Sequence, residues 1–222
     1  MSLCVTGIAA AETAYQFCTP DTVQSDGLCH FDATNLVFPS DITVKIPANY
    51  ADQRAVEDYL NRTVDDYEND VRSLQPTPDG SSFTASGAFY ESPRAGMQSD
   101  VLRITENVSG TAHPTTFYKS FTVDVASRQP IGLDQLFTPG TRPAEVLYPL
   151  VAKQLASPSR FGADFAIPAG IGLDEATYQN FAVTDDAIHL FFGQYDLGAR
   201  AEPVEVILTK GALAGHLAPG VG

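Results

Sequence analysis

The sequence predicts an α+β fold, a mostly antiparallel and twisted sheet with two main helices packed on it. Three observations carry that prediction. Two stretches, one from Val56 to Leu74 and one from Ala144 to Ala156, repeat their apolar residues at steps of three and four. Other segments alternate apolar and polar residues, the period of a strand with one buried face. Helices and strands are interspersed without a strand–helix–strand rhythm, so mostly antiparallel pairing is expected. The 222 residues suit one domain over 13–222, or two packed lobes over 13–130 and 131–222. A chain of this size buries about 70 % of its unfolded surface.

Taken in order, Cys18 and Cys29 bracket a polar loop with the composition of a tied hairpin. A disulfide there removes about 3 kcal/mol of unfolded-state entropy. Two of the three cysteines are expected to precede regular structure, and no C-x-x-C or zinc spacing is present. Ile42 to Ile46 alternates and is closed by Pro47, which reads as a short strand. A helix capped near Asn49 follows, burying Val56, Leu60, Val64, Tyr67, Val71 and Leu74. Its acidic side, Asp58, Asp65, Asp66, Glu68 and Asp70, reads as a solvated face. Pro76 and Pro78 end it, and Asp79-Gly80 turns the chain.

Strands are expected from Ser82 to Tyr90, Asp100 to Val108 and Thr116 to Val125. In the third, Phe117, Phe121, Val123 and Val125 share one face; Tyr118, Ser120, Thr122 and Asp124 share the other, read as solvated. Arg128-Gln129-Pro130 turns the chain into a short apolar segment, Ile131 to Phe137. Pro143 suits the first turn of the second helix, whose buried side is Val146, Leu147, Leu150, Val151 and Leu155. Pro149 inside it is expected to kink or shift the helix. A long loop over 157–172 leads to a hairpin, Phe181 to Thr184 and Ile188 to Phe192, around Asp185-Asp186. Val204 to Leu208 is the last strand, and Ala212 to Leu217 a short final helix.

Charge and composition exclude several functions. With 13 basic and 27 acidic residues the formal net charge is −14, and no basic cluster occurs, which argues against nucleic acid. No apolar run reaches the roughly 18 residues that span a bilayer. No phosphate-cradling glycine loop and no metal-ligand spacing appears, so no cofactor is expected. Leu3 to Glu12, with small residues at Ala9 and Ala11, reads as the tail of an export signal; the other reading is an Ala-rich terminus without that role.

Two blocks, Gly110-Thr111-Ala112-His113-Pro114-Thr115-Thr116-Phe117-Tyr118-Lys119-Ser120-Phe121 and Tyr178-Gln179-Asn180-Phe181-Ala182-Val183-Thr184-Asp185-Asp186, carry a family resemblance. With Ile46-Pro47, Tyr50, Gly172-Leu173-Asp174 and the Val204–Leu208 strand, they resemble the mycobacterial secreted immunogenic-protein (MPT antigen) family. The C-terminal part of that family is shared with the extracellular, lysozyme-binding domain of the anti-sigma-V factor. The resemblance implies an exported, cell-envelope or secreted α+β domain with a β-grasp-like sheet. It implies a protein or cell-wall partner, and ester hydrolysis is associated with some members. Phe191-Phe192 precedes Gly193-Gln194 where relatives carry Asn-Pro, and Ala201-Glu202-Pro203 replaces their Ala-Gly-Pro. The resemblance therefore assigns no ligand role to that loop.

An esterase needs a serine, a base and an orienting acid, and no G-x-S-x-G elbow is present. The set the sequence offers is Ser120, His113 and Asp124, on or just before one strand. The structural alternative is that these side chains serve a solvated strand and a turn, with the His113 ring bonding a neighbouring carbonyl. For binding, the candidates are His113, Tyr118 and Tyr195; Phe191 and Phe192 read as core. The leading expectation is a monomeric, exported binding module, with a hydrolase of small acyl esters as the rival.

Overall fold

The computed structural model describes residues 14–35, 39–74, 80–156, 165–198 and 202–222. The proposed export segment with Cys4, the helix-ending prolines 76 and 78, Ala201 and the first half of the 157–172 loop lie outside them. The strands are β1 (Leu28–Asn35), β2 (Ser40–Pro47), β3 (Ser81–Ser92), β4 (Met97–Asn107), β5 (Thr115–Asp124), β6 (Phe181–Val183), β7 (Ala187–Phe192) and β8 (Val204–Thr209). The helices are α1 (Gln53–Ser73), α2 (Pro143–Leu155) and the single turn α3 (Ala169–Gly172). Sheet strands divide into two groups, β1-β2-β3-β4-β5 and β6-β7-β8.

Among the described strands all pairs are antiparallel except one. β2 pairs parallel with β3, Ile42 opposite Phe83, and α1 is the crossover between them. A strand–helix–strand unit thus exists where none was expected, because parallel pairing is a non-local choice that no local pattern announces. β1 is also new. Cys29 is its second residue and fully buried, so this cysteine lies inside regular structure. Its disulfide to Cys18 (Cα–Cα 5.1 Å) and the bond from His30 N–H to Thr22 O hold the preceding loop along the outer edge of β1.

Helix α1 starts later than the sequence suggested. Asp52, not a residue near Asn49, caps it, accepting the Ala55 N–H at 3.4 Å. Val56, Leu60, Val64, Tyr67 and Val71 are buried against β2, β3 and β4, while Leu74 lies past the helix end and is exposed. Its acidic side is only partly solvated, since Glu68 accepts the Tyr15 hydroxyl at 2.9 Å. α2 opens on Pro143 as expected, and Pro149 sits exposed within an unbroken helix, its ring removing the one intrahelical bond to Glu145 O. Ala144, Leu147, Val151 and Leu155 are buried, but Val146 and Leu150 only partly, because α2 covers a narrow three-stranded sheet. The final helix is a 3-10 turn over Lys210–Leu213, and Leu133–Leu136 forms another.

Two apolar cores result. One joins α1 to the five-stranded sheet through Phe17, Ile42, Phe83, Leu102 and Ile104; the other joins α2 to the three-stranded sheet through Leu133, Leu147, Tyr178, Phe192 and Val206. Between the sheets lies a small third cluster, Val101, Ala182 and Phe191, with Tyr90 and Tyr118 against it.

Candidate functional site at the seam between the two sheets

The even-numbered residues of β5 from Thr116 to Thr122 face the second sheet rather than water. Thr122 Oγ1 lies 3.0 Å from Ser99 Oγ and 3.2 Å from Phe181 O, and Val183 N–H donates to Ser99 Oγ. The reading of this face as solvated is corrected: parity was right, but the covering element lies some sixty residues away in sequence. The strand edge is closed in the same way. Ser120 N–H donates to Asn180 Oδ1 at 3.1 Å, and Thr116 N–H to Gln194 Oε1 at 3.2 Å. Gly193 lies so close that a Cβ there would sit 2.9 Å from Phe117 Cα.

The serine, histidine and aspartate proposed as a catalytic set have separate partners. Ser120 Oγ donates to Gln179 O at 3.2 Å and accepts Phe181 N–H at 2.9 Å. Asp124 Oδ1 accepts the N–H and the hydroxyl of Ser127, both at 2.7 Å, which holds its carboxyl below the ordinary range and caps the turn carrying Arg128 at φ 56°. Four residues of extended chain, about 13 Å, separate Asp124 from Ser120. His113 turns its Nδ1 to Pro114 O at 3.2 Å, the neighbouring-carbonyl contact the sequence suggested. Its Nε2 meets the Tyr195 hydroxyl at 3.1 Å.

Two of the three binding candidates are therefore in contact. Tyr195 is 47 % exposed and holds a left-handed backbone (φ 71°), a conformation that costs a non-glycine residue on the order of 1 kcal/mol. Asp196 Oδ2, accepting Gly193 N–H at 2.7 Å, and Gly198 N–H, donating to Tyr195 O, fix that turn. Tyr118 lies further along the seam, its ring 5.4 Å from Phe191, which in turn is 5.8 Å from Tyr90. Phe192 is core, as expected, and Phe191 closes the third cluster.

Sequence reasoning missed a second histidine. His189 Nδ1 is 2.7 Å from Glu205 Oε1, its ring lies tilted 5.0 Å from that of Tyr90, and its Nε2 is 3.5 Å from Thr184 Oγ1. Strand parity was the available signal: 189 and 205 project from the same face of β7 and β8. The Thr184 hydroxyl also spans its own turn, 3.2 Å from both N and O of Ala187. Beside the seam, Lys119, Ser120, Phe121, Ile131, Gln179 and Phe181 line a cleft of ≈ 250 Å³. Among the described residues no group of three or more acidic, histidine or cysteine side chains is placed to hold a metal.

With this geometry in place, the kinship is clear from sequence. The chain is 34 % identical to the immunogenic protein MPT64 of Mycobacterium tuberculosis, over 97 % of this chain and 94 % of that protein. It belongs to that immunogenic-protein family. MPB64 of Mycobacterium bovis matches to the same extent, and a Mycobacterium tuberculosis protein named Esterase Rv3036c is 38 % identical over 79 % of this chain and 76 % of its own length. Residues 134–211 match the family described as a protein of unknown function, DUF3298. In the MPT64-like chain that match spans α2 and the second sheet, the part that supplies His189, Phe191, Gln194 and Tyr195 to the seam. The fold is shared with a DUF3298 family protein of Pseudomonas aeruginosa (TM-score 0.60, 15 % identity, 86 % of this chain and 94 % of that one). It is shared too with a DUF3298 family member of Bacteroides fragilis (TM-score 0.54, 15 % identity, 87 % of this chain and 92 % of that one).

Proposed function

We propose that the protein is an exported binding module that engages a protein or cell-wall partner along the seam, with His113, Tyr118 and Tyr195 as its contacts. The observation that carries this reading is Tyr195, an exposed aromatic ring held on a left-handed backbone and tied by its hydroxyl to His113. Backbone strain spent on presenting an amphipathic ring at the surface is the mark of a contact residue rather than a packing one. Export is supported by the Cys18–Cys29 bridge and by kinship to proteins named as immunogenic.

The test is retention of purified protein, monomeric by light scattering, on isolated actinobacterial wall and on immobilised lysozyme. Tyr195→Ala and His113→Ala are expected to lower retention at least tenfold with an unchanged circular dichroism spectrum. Equal retention of both variants and the wild type sinks the seam as the contact surface.

A second reading, hydrolysis of small acyl esters, draws on the relative named as an esterase and on the His189–Glu205 pair. On that reading His189 is the base, oriented by Glu205, with the Thr184 hydroxyl beside it; Ser120 is bonded to backbone and has no histidine partner. Turnover of p-nitrophenyl butyrate, lost in His189→Gln and kept in His113→Ala, would establish it. No turnover above buffer removes it.

A further inference from the structure

Strand β4 turns one row of side chains toward α1: Asp100, Leu102, Ile104 and Glu106. Leu102 and Ile104 are fully buried, as the middle of a helix-on-sheet core should be. The row ends in a carboxyl on each side. Asp100 has no exposed surface, and neither of its carboxyl oxygens has a hydrogen-bond partner among the described residues. The Val101 N–H offers it slight compensation without meeting hydrogen-bond geometry. Its cross-strand neighbours are Phe89 and Phe121. Gly87 and Pro47 close over it, since a Cβ at Gly87 would lie 2.9 Å from Asp100 Oδ1 and 2.6 Å from Pro47 Cδ.

The titratable surroundings hold little that would neutralise a charge there. Tyr50 faces Asp100, but its hydroxyl donates to Phe121 O at 2.8 Å, and Asp52 lies beyond it. Glu106, at the far end of the row, is half-buried and faces Asp66 and Asp70 of α1, two further carboxylates. Tyr59, Arg62 and Tyr67 of α1 and Asp41 of β2 complete that end. Lys119 of β5 lies between the two carboxyls along the row, its ammonium over the rings of Tyr59 and Phe121 rather than paired with either acid.

We infer that the α1–sheet interface is a proton-operated clamp: with Asp100 and Glu106 protonated the helix seats on β4, and with both ionised it loosens. Burial pushes Asp100 up to about 7; burial, then repulsion from Asp70 and Asp66, pushes Glu106 up to about 7. The sign follows. Both groups bind protons more tightly folded than unfolded, so their stabilisation is complete below about pH 4 and lost as pH rises through about 7. Inside that window the folded chain holds up to two extra protons, and the folding constant falls by up to about 100-fold per pH unit.

The experiment is urea unfolding from pH 4 to 9, run beside hydrogen exchange of the Val56–Val71 amides corrected for intrinsic rate. Wild type is expected to lose stability steadily up to about pH 7 and then level off, with α1 exchange accelerating at least tenfold while β7 stays protected. Asp100→Asn and Glu106→Gln should each remove part of the slope, and the double variant should lack this component. A double variant that keeps the wild-type slope, or equal acceleration in α1 and β7, overturns the clamp. Should Asp100→Asn not fold, carbon-13 titration of the two wild-type carboxyls decides: midpoints near 7 support the clamp, and midpoints near 4 overturn it.

Discussion

The two faces of the five-stranded sheet bury polar groups in opposite ways. Toward the second sheet they are neutral and answered: Ser99, Ser120 and Thr122 bond backbone groups of the 179–183 segment, and Asn180 and Gln194 bond the edge of β5. Toward α1 the row on β4 carries a fully buried carboxyl with no partner among the described residues and a half-buried one facing like charges. Hydroxyls and amides fix which strand meets which without depending on pH. Carboxyls placed in a helix-facing layer make seating depend on protons instead. One sheet thus carries a constitutive joint on one face and a conditional one on the other.

The largest expected effect breaks the conditional side. At pH 8 Asp100→Asn should stabilise the protein by about 3–4 kcal/mol, since it removes a charge buried without compensation. At pH 4 it should change little; urea midpoints at the two pH values check both. Next comes the constitutive side. Ser120→Ala leaves the Phe181 N–H unanswered and should cost about 1–3 kcal/mol, equally at pH 5 and pH 8. A pH-dependent cost would erase the contrast between the faces. Smallest is Tyr195→Gly, which relieves the left-handed residue and should gain up to about 1 kcal/mol by thermal unfolding while retention on the partner falls. A loss of stability there would mean that the Tyr195–His113 bond outweighs the strain.

What was legible in the sequence was local. Both helices and the three long strands lie within a few residues of their predicted bounds, because three-four and two-residue periods are properties of neighbours in the chain. The contact of His113 with Pro114 O was readable for the same reason. Its bond to Tyr195, 82 residues on, was not. The parallel pairing of β2 with β3, and the covering of the polar face of β5, are likewise decisions between distant segments. Asp100 left a usable trace, since it shares parity with the apolar Leu102 and Ile104. A charged residue at an apolar beat tends to be dismissed as the end of a pattern, and here it lies inside the core.

The closure of the β5 edge has a consequence for how the chain reaches its final state. β5 is the last strand of its sheet, and the groups that answer its outward backbone and side-chain positions, Gln179, Asn180, Phe181 and Gln194, all come from later in the sequence. Until those residues dock, a nascent or clipped chain presents an unguarded strand to which another copy can add. Truncations ending before Gln179 are therefore expected to form insoluble, strand-paired assemblies, with the segment from Gln179 onward acting as a built-in guard against self-association.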